Sequence, residues 1–313
     1  MTEVSRPASQ PTLQPGAARQ SKQIIVAASD GESDTVLGAA RLLAGRIGAE
    51  VVVLSVVEPL PPFTGDREEL ILPPGLVESQ AATRHGSVEQ HVERARAAAG
   101  DRSAPWPVEV RYGRPAQTIA AEAALSDADL VVMGIGRHKP IDRLLATETT
   151  LATVRHATCP VFAVAGETRA LPTVAVAATD FGPASLRAAR AALPLLADGA
   201  TLYLVHVWSH AGTSHPALAE ADAAYERNLP ARFSRLQELL AAPPSIQVRP
   251  VELVGRPAED VLEFARGHGA ELLVAGTHGG GFLDRLLVGS VATALLRGAR
   301  CNVLVAPEPP LAQ

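Results

Sequence analysis

The sequence predicts an α/β protein built from two tandem doubly wound domains, each a five-stranded parallel sheet with helices on both faces. One observation is an internal repeat. The Gly-Arg-Pro-Ala sequence at 113–116 recurs at 255–258, and this offset of 142 positions continues without a gap to the last apolar run. A repeat of this length corresponds to a whole domain and not to a solenoid unit. The second observation is that, in each half, short apolar runs alternate with segments of helical periodicity, which is typical of a parallel sheet covered on both sides.

Each apolar run of four to eight residues is taken as a strand, and each segment with apolar residues three or four apart as a helix. A proline near the start of a segment favours the first turn of a helix, as at 115 and 257. In the long helical segment after the seventh strand, Pro230 is expected to kink or restart the helix. The predicted strands are 23–28, 51–57, 108–112, 130–133 and 161–164 in the first half, and 173–178, 201–207, 246–253, 271–275 and 302–306 in the second.

Composition sets limits on the class of protein. A chain of 313 residues that is 47% hydrophobic can bury two ordinary cores. We therefore expect a disordered tail at 1–21, whose composition resembles neither a signal sequence nor an anchor, followed by domains at 22–167 and 171–308. A net charge of −5 without a basic stripe argues against nucleic acid as a main partner. The sequence contains no apolar run of 18 or more residues, so we expect no membrane-spanning helix. A cytoplasmic protein is expected.

The cysteines and histidines give no sign of a metal or disulfide framework. Cys159 and Cys301 occupy equivalent positions in the two halves, where a small buried hydrophobic residue is the expected role. The histidines His206, His210 and His215 are not surrounded by other residues at metal-ligand spacing, so we interpret them as loop residues.

The fourth strand of the second half ends in a glycine-rich turn. Gly276-Thr277-His278-Gly279 follows the strand, and nine residues later Gly289-Ser290-Val291 opens a helix. Glycines allow a tight turn and leave room beside the backbone. The first N–H groups of a helix have no intrahelical partners and carry the positive end of its dipole, so they attract phosphate.

Two further segments are expected at the same edge of the sheet. Asp180 follows the first strand of the second half, and Val207 ends the second strand. Ligands of doubly wound sheets bind beyond the carboxyl ends of the strands, where the strand order reverses. A carboxylate there can accept hydrogen bonds from ribose hydroxyls, which together with the phosphate site indicates a nucleotide. Asp30 is the counterpart of Asp180, so a helix-capping role for this aspartate remains open.

The second half carries GxxG, then nine residues, then GS. This motif resembles that of the ATP-binding branch of the universal stress protein family, and the two-domain chain resembles the tandem members of that family. The resemblance extends over 22–308. It implies an ATP-binding regulator of stress adaptation, with Mg²⁺ expected beside a triphosphate. The nucleoside contacts are implied at the first- and second-strand ends, and the ribose and phosphate contacts at the glycine motif. The implied binding residues are Ala178, Thr179, Asp180, Val207, Gly276, Thr277, His278, Gly279, Gly289, Ser290 and Val291.

The first half lacks this motif. At the offset of 142, Gly279 is replaced by Arg137, Gly289 by Thr147, and Ser290 by Glu148. A glutamate places negative charge where a polyphosphate would lie. We expect only the second half to bind ATP.

Several alternatives remain at this stage. No P-loop, nucleophile elbow or zincin motif is present, so we expect no dedicated enzyme and at most slow ATP hydrolysis. An interaction module of the same fold that binds no nucleotide is the alternative from another class. Family members commonly pair through their final strands, which implies that 161–164 and 302–306 can pair within one chain as a pseudo-dimer, with a homodimer as a further option.

Overall fold

The computed structural model describes residues 23–29, 34–58, 74–98, 106–135, 140–210, 216–277 and 288–307. The tail expected at 1–21 lies outside these ranges. So do two of the predicted binding residues, His278 and Gly279, and the first-half positions Asp30 and Arg137.

The described residues form ten strands and eight helices in the predicted order, with a short 3-10 helix at Leu193–Leu195. The first half contains β1 (Ile24–Ala28), α1 (Asp34–Ile47), β2 (Glu50–Val57), α2 (Pro74–Ala98), β3 (Val108–Tyr112), α3 (Pro115–Leu125), β4 (Leu130–Gly134), α4 (Pro140–His156) and β5 (Val161–Val164). The second half contains β6 (Val174–Ala178), α5 (Pro183–Ala192), β7 (Thr201–Trp208), α6 (Pro216–Leu240), β8 (Gln247–Val254), α7 (Pro257–Gly267), β9 (Leu272–Gly276), α8 (Ser290–Gly298) and β10 (Asn302–Ala306). None of the described helices is both long and apolar enough to span a membrane.

The strands form one ten-stranded sheet in the order β3-β2-β1-β4-β5-β10-β9-β6-β7-β8. Within each half all neighbouring strands are parallel, and the strand order reverses between β1 and β4 and between β6 and β9. The two halves join where β5 pairs with β10 in the antiparallel direction. The predicted fold class and the predicted pairing of the final strands are confirmed.

The register of β5 and β10 shows that the two halves are related by an internal two-fold axis. Leu304 pairs with Phe162, and these two residues are equivalent in the repeat. The flanking pairs are Val303 with Ala163 and Val305 with Val161. Val161 is equivalent to Val303 in the repeat and Ala163 to Val305, so exchanging the two halves converts one pair into the other. A register that maps onto itself in this way is the signature of a two-fold interface. The duplicated chain therefore folds as a dimer within one polypeptide.

Two apolar layers cover the faces of this sheet. Successive strand residues alternate between them, as expected for side chains that point to opposite faces. Phe162 and Leu304 are fully buried in one layer, while Val161 and Val303 are fully buried in the other. Each layer contains residues of both halves. The hydrophobic core is thus continuous across the junction.

Polar contacts also cross the junction. The Arg46 guanidinium lies 2.6 Å from the Asp198 carboxylate, and Arg297 lies 2.5 Å from Glu148. The Asn302 side chain accepts the N–H of Ala165 and donates to Thr168 Oγ1. These contacts fix the orientation of the two halves because they join helices and loops that the strand pairing does not touch.

The restart expected at Pro230 does not occur, because α6 is continuous over Pro216–Leu240. Proline lacks the N–H that the helix would use and normally disrupts it. Leu229 and Phe233 flank the proline and are buried in the core, whereas Pro230 itself is exposed. Burial of the flanking side chains stabilises the helix on both sides of the interruption.

Replacing Phe162 by alanine should lower the free energy of unfolding by about 3–5 kcal/mol, because it leaves a cavity at the two-fold axis. Urea denaturation followed by circular dichroism measures this change. Leu125→Ala is the control, since that side chain is 80% exposed, and it should change stability by less than about 0.5 kcal/mol. Equal effects of the two substitutions would contradict the central place of the β5–β10 pair.

The two cysteines should differ in reactivity. Burial raises the pKa of the Cys159 thiol to about 11, whereas Cys301 is only partly buried. Only a thiolate reacts readily with an alkylating agent. Iodoacetamide applied to the folded protein near neutral pH should therefore modify Cys301 first, as measured by peptide mass spectrometry. Faster labelling of Cys159 would show that this strand end opens in solution.

Candidate functional site

A cavity of about 630 Å³ lies at the carboxyl ends of the strands of the second half, beside the point where their order reverses. The ends of β6, β7 and β9 and the starts of α7 and α8 form its walls. It contains eight of the eleven residues named from the sequence, namely Ala178, Thr179, Asp180, Val207, Gly276, Gly289, Ser290 and Val291. Segments far apart in the sequence thus meet in one crevice, as the strand order predicts.

Sequence reasoning did not assign the other residues of the wall to the site. Ser185 and His206 are its additional polar residues, and the rest are apolar. A polar residue inside the apolar run of β7 was the available signal for His206. The apolar wall residues are Val205, Pro257, Val261, Ala275, Val288 and Ala292.

The loop between β6 and α5 is held by a chain of side-chain hydrogen bonds. Thr179 Oγ1 accepts the N–H of Phe181 at 3.0 Å and lies 3.1 Å from Ser185 Oγ. The Ser185 hydroxyl donates to Asp180 Oδ1 at 2.9 Å, so the Thr179 hydroxyl donates to Ser185. The buried hydroxyls of Thr179 and Ser185 therefore hold the exposed Asp180 at the mouth of the cavity.

Asp180 does not cap α5, because Gly182 is the N-cap and the helix has no side-chain cap bond, but its carboxylate orders the turn just before the helix. Its Oδ1 accepts the N–H of Gly182, the residue that precedes the first turn of α5, at 2.9 Å. This bond two residues ahead is an Asx turn. The same carboxylate lines the cavity. Its position is consequently set by contacts within the loop.

His206 lies in β7 and is buried, so the expectation of a loop histidine is wrong for this residue. Its Nδ1 is 2.7 Å from the carbonyl oxygen of Thr179, and its Nε2 is 2.8 Å from the Tyr225 hydroxyl. A carbonyl only accepts, so Nδ1 carries the proton and Nε2 accepts the hydroxyl proton. The imidazole thereby links the β6 end to α6. Among the described residues no cluster of three potential metal ligands occurs.

Phe181 follows Asp180 with a φ of 65°, a left-handed conformation that is uncommon for a bulky residue. Its ring packs 4.5 Å from the His206 ring and 5.0 Å from the Phe233 ring, measured between centroids. The aromatic packing and the Thr179 hydrogen bond stabilise this conformation together. The loop conformation that presents Asp180 thus depends on the core beneath it.

Gly276 was expected to leave room for a ligand, but the structure shows that a side chain here would collide with α5. A Cβ at this position would lie 2.7 Å from the carbonyl carbon of Ala184 in α5. The next residue, Thr277, is buried, and its N–H donates to the Ala306 carbonyl. Its own carbonyl accepts the N–H of Gly289. The glycine therefore permits close packing of α5 on β9, and the strand end is joined directly to the start of α8.

The amino end of α8 faces the cavity through Gly289, Ser290 and Val291. Gly289 is the N-cap and provides no side-chain acceptor for the first N–H groups. The first backbone bond of the helix runs from the N–H of Thr293 to the Gly289 carbonyl at 2.9 Å. The preceding N–H groups have no acceptor within the helix, so this end of α8 carries the positive end of the helix dipole.

The first half is different at the equivalent positions. Thr147 is buried, and the Glu148 carboxylate forms the ion pair with Arg297. A Cβ on Gly134, the counterpart of Gly276, would meet only the Val36 side chain at 3.5 Å, an ordinary contact. The negative charge of Glu148 is therefore used in the junction between the halves.

Fold and crevice together define a tandem pair of doubly wound α/β domains in which the second half presents a helix terminus to a cavity at the switch point. The model of the universal stress protein family matches residues 20–165 and 174–307. The chain belongs to this family.

Similar proteins span most of the chain. Universal stress protein Rv1996 of Mycobacterium tuberculosis is 31% identical over 241 residues, which are 73% of this chain and 74% of that protein. Universal stress protein Rv2005c of the same species is 29% identical over 230 residues, or 71% and 76%. The crystal structure of a universal stress protein from Archaeoglobus fulgidus covers 91% of this chain and 96% of its own, with a TM-score of 0.59 and 18% identity. This last likeness shows the shared fold.

The two equivalent glycines offer a matched test of the packing at the site. Gly276→Ala should lower stability by about 1–3 kcal/mol, because the new methyl group meets the backbone of α5. Gly134→Ala should change it by less than about 0.5 kcal/mol. Thermal or urea unfolding of both variants measures the difference. Similar stabilities would mean that α5 moves away from β9 at little cost.

Proposed function

We propose that the second domain binds ATP in this crevice and that the protein acts as a cytoplasmic, nucleotide-dependent regulator in stress adaptation. The observation that carries the proposal is the convergence of β6, β7, β9 and α8 on one cavity of about 630 Å³. A cavity of this size falls within the range typical of small-molecule sites.

Each part of a nucleotide has a matching group in the cavity. The amino end of α8 suits the phosphates, because its N–H groups and dipole favour negative charge. The Asp180 carboxylate suits the ribose hydroxyls, since it accepts hydrogen bonds. The apolar side chains of Val205 and Val261 suit the flat face of adenine, and the backbone at Val207 suits its polar edge. The glycine turn through His278 and Gly279 belongs to the same proposed site.

The expected Mg²⁺ fits this site only as a companion of the phosphates. Asp180 is the one carboxylate among the cavity residues that the structure describes. Mg²⁺ commonly keeps several waters and binds one or two carboxylates together with substrate phosphates. Because Asp180 is assigned to the ribose hydroxyls, phosphate oxygens and water are the groups that would hold the ion.

We infer one nucleotide per chain and a regulatory role instead of a dedicated catalytic one. The first half carries Glu148 at the position of Ser290, and a carboxylate repels phosphate. Among the cavity residues that the structure describes, the only imidazole, that of His206, bonds to the Thr179 carbonyl and the Tyr225 hydroxyl and not to a serine hydroxyl of the cavity. Slow hydrolysis by the N–H groups alone is the upper limit we propose. A homodimer would use a surface other than β5 and β10, which already pair within the chain.

Ser290→Glu should weaken ATP binding about a hundredfold, because like charges about 4 Å apart near a protein surface repel each other by about 4 kcal/mol. Isothermal titration calorimetry measures the affinity, and denaturing the purified protein measures how much nucleotide it already carries. We expect about one ATP per chain in the wild type.

Ser290→Ala is the matched control for this change. This variant retains the backbone N–H groups, so its affinity for ATP should stay within about threefold of the wild type. A threefold change corresponds to a free energy of about 0.7 kcal/mol, which is no more than one net hydrogen bond typically contributes. Wild-type protein that neither carries nor binds nucleotide would overturn the proposal and favour the interaction module that binds none.

A further inference from the structure

The ion pair between Glu148 and Arg297 has an image under the internal two-fold axis. Glu148 lies in α4 and Arg297 in the last turn of α8, and their side chains meet at 2.5 Å across the junction. The repeat offset maps Glu148 onto Ser290 and Arg297 onto Arg155. The register of β5 and β10 shows that the axis exchanges the two halves at this junction. By this symmetry, the positions that correspond to the ion pair are Arg155 and Ser290.

This geometry brings a basic side chain of the first half toward the amino end of α8. Arg155 lies in the last turn of α4 and is exposed. The helices α4 and α8 contact each other directly. Within the part of the chain that the structure describes, the Arg155 guanidinium makes no hydrogen bond or ion pair. The carboxylate that would pair with it by symmetry is absent, because position 290 is serine.

We infer that Arg155, from the half that lacks the motif, binds the phosphate tail of the nucleotide held by the second half. In the first half, the Glu148 carboxylate supplies the negative charge beside α4, and Arg297 of the other half neutralises it. In the second half, the phosphate takes the place of that carboxylate, and Arg155 takes the place of Arg297. The inference rests on the proposed ATP site and adds a residue to it from the other domain.

Arginine suits this role because its planar guanidinium can donate two parallel hydrogen bonds to a phosphate. Its positive charge also attracts the negative charge of the phosphates. The contact would depend on the number of phosphates, since the proposed site holds the adenine and ribose on the β6 and β7 side of the cavity. Binding of ATP would in addition tie the two halves together at a second point.

The test compares Arg155→Ala with its symmetry-related control Arg297→Ala, by calorimetric titration with ATP, AMP and adenosine at low ionic strength. Arg155→Ala should weaken ATP binding about tenfold, as expected for a charge-assisted contact, and should leave adenosine within about twofold. Arg297→Ala should leave all three ligands within about twofold, because Arg297 pairs with Glu148 on the far end of α8. Arg155→Lys should restore part of the ATP affinity.

The outcomes separate this inference from the proposed function. If the wild type and Arg155→Ala bind ATP equally well, the role of Arg155 is overturned but the proposed ATP site is not. An equal loss for ATP and adenosine also overturns it, since that pattern indicates damage to the fold. Wild type that binds no ATP overturns the proposed function, and the role of Arg155 with it.

A second measurement checks the geometry without any ligand. Ser290→Glu recreates in the second half the carboxylate of the first, so the new side chain should pair with Arg155. A double-mutant cycle of Ser290→Glu and Arg155→Ala, measured by thermal unfolding of the nucleotide-free protein, should show favourable coupling. Additive effects would place Arg155 out of reach of the α8 terminus and overturn the inference.

Discussion

The antiparallel pairing of β5 and β10 is the interaction on which the rest of the molecule depends. It lies at the centre of the ten-stranded sheet, and Phe162 and Leu304 on its axis are fully buried. Without it, each of two parallel sheets would expose a short apolar edge strand, which favours aggregation. The pairing also determines which helices meet, because it sets α4 beside α8. The ion pairs and the Asn302 contacts across the junction follow from this arrangement.

The crevice in the second half results from three features of close packing. Gly276 allows α5 to approach β9, Thr277 joins the strand end to the start of α8, and the hydrogen bonds of Thr179 and Ser185 hold Asp180. None of these contacts needs a ligand in order to form. The site is therefore largely preformed, which lowers the entropic cost of binding.

Duplication has allowed the two halves to take on different tasks while retaining one fold. The first half keeps the strands, the helices and the turn at Gly134, yet it places Glu148 where the second half has Ser290. Glu148 lies inside α4 and pairs with Arg297, whereas Ser290 is the first residue of α8. The first half thus carries a negative charge at a position where the second half has a neutral serine, and this charge pairs with Arg297 of the second half.

The sequence by itself determined the α/β class, the duplication and the strands, most of them to within a residue or two, as for 161–164 and Val161–Val164. It also placed eight residues of one cavity together, because the carboxyl ends of parallel strands meet at one edge. These features depend on periodicity, composition and turns, which local patterns express. Only the tertiary structure decided why Gly276 has no side chain, that His206 links β6 to α6, that α6 runs through Pro230, and that Glu148 meets Arg297. Each of these depends on contacts between segments far apart in the chain, whose distances no local pattern specifies.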